Sequence, residues 1–178
     1  MRSSRYTLPA ILLHWAHAGL VIGLLWLGWT MIDLPKGAER SAAYGLHKSL
    51  GLLALVLVLL RLLWRRRQAP PPPLPSLSAW QIRVSHGVHH ALYAVLLLAP
   101  LAGYLASAFT PYPMKFFGLE LPRLFAPDPD FNALFKSLHQ GLVWGGAGLI
   151  ALHVAGVVVH VWRREPILSR MLPGKSVQ

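Results

Sequence analysis

Cysteine is absent from the chain, and charge is scarce. Without a thiol there is no disulfide, no thiolate metal site, no iron–sulfur cluster and no covalently attached c-type haem, which needs C-x-x-C-H. Only 13% of the residues are Asp, Glu, Lys or Arg, 54% are hydrophobic, and the mean hydropathy is +0.47. A soluble domain usually carries about 25% charged residues, so the deficit argues for a chain solvated mainly by lipid. Acids are the scarcer sign, 6 against 17 cations, for a formal net charge of +11. On a soluble protein that balance would suggest nucleic acid. Here the cations cluster outside the apolar runs, and no nucleic-acid partner is expected. No nucleophile, carboxylate pair or phosphate loop is visible, and no internal repeat. The 178 residues allow one domain and hardly more.

What is present begins with long apolar runs. Ala10–Ile32, Val84–Met114 and Ser137–Trp162 contain no Asp, Glu, Lys or Arg. About 20 apolar residues cross a hydrocarbon core of roughly 30 Å, so each qualifies as a membrane span. Tyr44–Trp64 is apolar except for Lys48 and Arg61. These two sit near its ends, where long side chains snorkel to the interface. The expectation is an all-α integral membrane four-helix bundle with spans over about 10–32, 44–64, 80–110 and 132–162. The first run is too long for a cleaved signal peptide and is interrupted by His14 and His17. Pro70–Pro73 cannot be helical, and five prolines punctuate Pro111–Lys136.

Lys and Arg divide unequally between the two ends of such a bundle. The N-terminus, the second connection with its flanks and the C-terminus hold 11 of them, from Arg2 and Arg5 to Lys175, with Glu165 as the only acid. The other end holds six cations (Lys36, Arg40, Lys48, Lys115, Arg123, Lys136) and five acids. The positive-inside rule places both termini in the cytoplasm.

All nine histidines lie in or at the edge of the spans. Ionisable residues at membrane depth are costly and functional by default. One alone is as well read as an interhelical hydrogen-bonding residue, but nine over four helices need a collective explanation. His139 and His153 are 14 residues apart. At 100° and 1.5 Å per residue that is within about 40° of four full turns and about 21 Å of rise, so both rings leave one face near opposite ends of the helix. His14 in the first span matches the depth of His153, and His47 at the start of the second matches His139. Two facing imidazoles per site suit an iron already held by a porphyrin. Neutral imidazole also suits Zn or Cu, although two ligands without carboxylate or thiolate make a poor zinc site. Gly19, Gly23, Gly51, Gly141, Gly145, Gly146 and Gly148 in these helices leave room for a flat macrocycle, and equally let membrane helices pack closely.

These residues resemble the bacterial cytochrome b561 family of small four-helix dihaem membrane cytochromes. The resemblance runs through His14-Trp15, His47 with Gly51, Arg61-Leu62-Leu63, and His86 and His89 before Tyr93. It continues through Pro100 to Gly103-Tyr104, Phe117-Gly118-Leu119 with Leu121-Pro122, Ser137-Leu138-His139, His153 and Arg170-Met171-Leu172-Pro173. Order and spacing together make it specific. It implies a single unit over residues 1–178 in the bacterial inner membrane, carrying two non-covalent haem b groups. His14 and His153 would ligate one, His47 and His139 the other. It also implies electron exchange with the quinone pool, in some members superoxide oxidation coupled to ubiquinone reduction.

His86 and His89, near one face of the third helix at an i, i+3 spacing, are candidates for contacts around the haems, a quinone hydrogen bond or interhelical polar contacts; His160 is a candidate for a quinone or propionate contact, whereas His17 and His90 carry no assigned role. Lys48 and Lys136 adjoin His47 and His139 and could hold haem propionates or simply anchor the interface. The six cations of the non-terminal end could steer superoxide, an effect tempered by the five acids there. Two other readings remain open to the sequence. One is a relay subunit passing electrons from a periplasmic dehydrogenase or hydrogenase partner to quinone. The other is a histidine-based proton or metal transporter, against which the lack of intramembrane carboxylates counts.

Overall fold

A computed structural model describes residues 5–173. Arg2 and Lys175, two of the cations counted above, lie outside them. Four helices dominate: α1 (Leu8–Thr30), α2 (Ala38–Arg67), α3 (Ala79–Ala108) and α4 (Pro129–Trp162). Each is long and apolar enough to cross a membrane, so the expected membrane four-helix architecture stands. The boundaries follow local chemistry. Helix α2 runs to Arg67 and stops before Pro70–Pro73, where the ring and the missing N–H forbid further turns. Helix α3 opens with the Ser78 amide donating to Gln81 Oε1 at 2.9 Å, half of a capping box. Helix α4 starts slightly before the expected 132, because the Asp128 carboxylate accepts from the amides of Asp130 and Phe131 with Pro129 at the first position.

The helices pack in sequence, α1 on α2, α2 on α3 and, most extensively, α3 on α4. Gly146 permits the last approach: a Cβ there would lie 2.8 Å from Val95 Cγ1. Helices α1 and α4 meet through ring contacts, His14 with His153 and Trp29 edge-on to Trp144 at 5.6 Å. Few side chains are fully buried, among them Ile11, His17, Ala54 and Val58. Large apolar residues such as Ile22, Trp26 and Trp162 face outward, as lipid contact requires.

The two ends of the bundle are closed differently. At the terminal end, where α1 begins and α4 finishes, Trp15 Nε1 donates to the Met171 carbonyl at 2.6 Å, Arg5 to the Ser169 and Leu172 carbonyls, and Arg170 to the Pro72 carbonyl at 2.6 Å. These bonds tie the chain after α4, including a 3-10 turn at Leu168–Met171, across the other terminal segments. At the opposite end, the proline-rich connection forms an antiparallel hairpin, β1 (Lys115–Phe116) and β2 (Leu119–Glu120), not foreseen above. Its turn places Phe117 at φ 46° and Gly118 at φ 90°. Buried Ser49 holds it to α2 by accepting from the Phe117 amide at 2.9 Å. Phe109 stacks on Phe131 and Phe135 and packs against Phe125, joining the connection to α3 and α4.

Candidate functional site

The sequence pairs His14 with His153 and His47 with His139, and the fold brings each pair together. The ring centres of His14 and His153 lie 6.4 Å apart with planes at 63°, and those of His47 and His139 lie 6.2 Å apart at 85°. A metal–imidazole bond of about 2.0–2.1 Å, plus about 1.1 Å from nitrogen to the centre of a ring with bonds near 1.33 Å, sets a reference. Two imidazoles on opposite sides of one metal then have centres about 6.3 Å apart. Both pairs have this spacing. Among the described residues, no group of three or more His, Cys, Asp or Glu is placed to hold a bare metal ion. A two-imidazole site therefore fits an iron whose equatorial positions a porphyrin fills.

Proton placement supports the fit at the hairpin end. His139 Nδ1 donates to the Ala99 carbonyl at 2.8 Å, which leaves the Nε2 lone pair for a metal, the usual orientation of a ligating histidine. Gly103 makes room for that ring: a Cβ there would stand 3.0 Å from His139 Nδ1. Gly28 does the same for His47, with 3.1 Å to Cε1. His47 Nδ1 is buried without a hydrogen-bond partner among the described residues. Of the glycines singled out from sequence, none lies against the His47 or His139 ring. Gly19, Gly23, Gly51, Gly141, Gly145 and Gly148 have open space where a Cβ would be, and Gly146 serves helix packing.

The terminal end is more crowded. The His89 ring, held by its Nδ1 donating to the Ser85 carbonyl at 2.6 Å, lies 5.2 Å from that of His153. His86 instead faces outward beside His90, with centres 6.5 Å apart. His160 pairs with Glu165 just past the end of α4. His17, left without a role on sequence grounds, is the most buried histidine at 1% exposure. Arg61 does not snorkel outward as expected. Its guanidinium points into the bundle, donating to His14 Nδ1 at 3.2 Å and His17 Nδ1 at 3.4 Å, over the Tyr93 ring. It lies more than a turn inside the end of α2, and its face of the helix turns toward α1 and α3. The available signal was its position, four residues before the Arg65–Arg67 run that already supplies the interfacial charge. A cavity of about 320 Å³ adjoins this cluster, with Arg5, Arg61, Arg65, Trp64, Tyr93 and His14 in its wall.

Comparison with known proteins identifies the family. A sequence profile of the prokaryotic cytochrome b561 family matches residues 5–174. Cytochrome b561 homolog 2 of Escherichia coli K12 is 34% identical over 176 residues, covering 97% of this chain and 93% of the relative. Cytochrome b561 homolog 1 of the same organism is 29% identical over 186 residues, covering 97% and 99%. A protein named probable superoxide oxidase CybB from Yersinia pestis is 27% identical over 175 residues, covering 96% and 97%. With four apolar helices, paired histidines and a match along almost its whole length, the chain belongs to the prokaryotic cytochrome b561 family, multi-pass membrane electron-transfer proteins that carry b-type haem.

Proposed function

We propose that residues 1–178 form one dihaem unit of the bacterial inner membrane that oxidises superoxide and reduces ubiquinone, with both termini in the cytoplasm. His14 and His153 would hold one haem b at the cytoplasmic end, and His47 and His139 the other at the periplasmic end. The observation that carries this reading is the pair of ring separations, 6.4 and 6.2 Å, at two depths about 21 Å apart along α4. When bound, the haems supply one-electron storage at each depth.

The protein's own residues would do the rest. With His14 and His153 holding one haem and His47 and His139 the other, each group would exchange electrons without binding either substrate directly. The Ala99 carbonyl fixes the His139 ring and so tunes the periplasmic site. Two superoxide anions each give up one electron and leave as dioxygen. One ubiquinone takes the two electrons and two protons to become ubiquinol. The name of the Yersinia pestis relative supports superoxide as donor, and the excess of cations on the terminal side supports the orientation.

A reduced-minus-oxidised spectrum with a pyridine haemochrome assay on purified protein tests the core of the reading. Two b haems per chain are expected in the parent, with one lost in His153→Ala and the other in His139→Ala. Folded protein without Soret absorbance would return the histidines to ion transport. Ubiquinone reduction by the isolated protein on adding superoxide is the expected second result. Activity seen only with a co-purified dehydrogenase would establish the relay role instead.

A further inference from the structure

The cavity beside His14 is an unusual place for three arginines. Arg61 donates to His14 and His17 and lies 5.2 Å over Tyr93, and Arg65 lies 5.6 Å over the same ring. Among the described residues these two guanidiniums meet only neutral groups. The salt bridges there are Lys115–Glu120 and His160–Glu165, neither involving them. Arg65 belongs to the interfacial last turn of α2, but the Arg61 guanidinium is turned into the bundle, where a permanent cation without a counter-charge is costly. Arg5 completes the cationic wall of a space of about 320 Å³, roomy against the roughly 30 Å³ of one water.

A second observation concerns the proton on His14. Arginine has no acceptor, so Arg61 must be the donor and Nδ1 of His14 the acceptor. A neutral imidazole that accepts at Nδ1 carries its proton on Nε2 and has no lone pair there for a metal. His139 shows the opposite arrangement, with Nδ1 donating to Ala99. For His14 to ligate through Nε2, Arg61 has to leave its Nδ1. The adjoining cavity, which Arg61 already lines, is where its side chain has room. A guanidinium moved there needs an anion.

We propose that this cavity is an anion pocket for the carboxylates of the haem held between His14 and His153, and that Arg61 releases His14 to bind them. Arg65 shares the task, and the Tyr93 ring keeps both guanidiniums turned toward the pocket. The proposal rests on the assignment of His14 and His153 as axial ligands. It makes Arg61 a positioning residue: the pocket admits the anionic haem and, in the same movement, frees the ligand.

The test uses full-length protein in nanodiscs, loaded with either haem b or its dimethyl ester, which lacks the carboxylate charges. A His139→Ala background confines loading to the His14/His153 site. There the parent should take the free acid at least about tenfold more tightly than the ester, as charge-assisted hydrogen bonds imply. Arg61→Gln should lose most of that preference while still binding the ester, and Arg61→Lys should keep part of it. In a His153→Ala background, which leaves only the other site, Arg61→Gln should change nothing. Ester binding by Arg61→Gln guards against a folding defect, and if that variant does not fold, the Arg61→Lys and Arg65→Gln preferences decide the matter. A parent without acid-over-ester preference, or an Arg61→Gln variant that retains it, overturns the proposal. So does haem binding weakened by phosphatidylglycerol relative to phosphatidylcholine without any such preference, which would assign the pocket to a lipid phosphate. If His14→Ala and His153→Ala each leave two haems bound, the ligand assignment itself fails. If each removes one and the preference survives Arg61→Gln, only the carboxylate assignment falls.

Discussion

Gly103 and Gly28 leave the room that the His139 and His47 rings occupy. An added methyl at Gly103 would meet His139 at 3.0 Å from Nδ1 and 3.1 Å from Cε1, and that ring cannot swing freely because Nδ1 is tied to the Ala99 carbonyl at 2.8 Å. Loss of such a supporting bond typically costs a metal site 10–100-fold in affinity. Gly103→Ala should therefore weaken haem binding at the His47/His139 pair by about tenfold or more, leaving the His14/His153 pair unchanged. Gly28→Ala should act in the same direction but less. Its clash is with the Cε1 edge of His47 at 3.1 Å, and no described hydrogen bond holds the Nδ1 of that ring. Haem titration of the parent and variant apoproteins by Soret absorbance ranks the two substitutions, and an affinity for Gly103→Ala equal to the parent's would refute the supporting role of Gly103.

Among the elements, the hairpin is the piece most dependent on a single contact. Ser49 Oγ donates to the Gly45 carbonyl at 2.9 Å and accepts from the Phe117 amide at 2.9 Å, so α2 itself positions the β1–β2 turn two residues from His47. Ser49→Ala leaves that amide without its partner, at a cost of about 1 kcal/mol or more. Hydrogen exchange at Phe117 and Gly118 should then quicken roughly fivefold, with α4 amides unaffected; unchanged exchange would mean that packing alone holds the turn. This element was also the least legible in the sequence. Its strands are two residues each, it lies among prolines, and its turn puts Phe117, no usual left-handed residue, at φ 46°. The four spans were legible because bilayer thickness converts directly into run length. The histidine pairs were legible because helix rise converts residue number into depth. Depth says nothing about which way a helix faces, and spans apolar all round carry little signal for it. For that reason the sequence marks Arg61 only as interfacial and His17 with no role, and the shared face of His86 and His89 does not reveal that one ring turns outward and the other to His153.

At the scale of the whole molecule, charge is distributed by end, and its effect on the proposed reaction can be worked out from that distribution. The terminal end carries 11 cations and one acid in the full sequence, whereas the hairpin end carries six cations and five acids. At the hairpin end Lys115 is paired with Glu120 at 3.2 Å, which removes one cation from any field felt by an approaching anion. A superoxide arriving there meets a surface of nearly balanced charge, with Lys36 exposed in the α1–α2 connection and Lys136 exposed three residues before His139. Screening falls from a range of about 30 Å at 0.01 M salt to about 3 Å at 1 M, and strong steering changes on-rates by 10–1,000-fold. Entry at the hairpin end should therefore show a weak salt dependence, about threefold or less across that range, and Lys136→Glu should lower the low-salt rate while leaving the high-salt rate unchanged. Stopped-flow measurement of haem reduction by superoxide in proteoliposomes of defined orientation gives both quantities. A tenfold or greater fall with salt, insensitive to Lys136→Glu, would place entry at the basic terminal end. The donor would then approach from the side on which the positive-inside rule puts the cytoplasm, and the assignment of superoxide to the periplasmic haem would have to be abandoned.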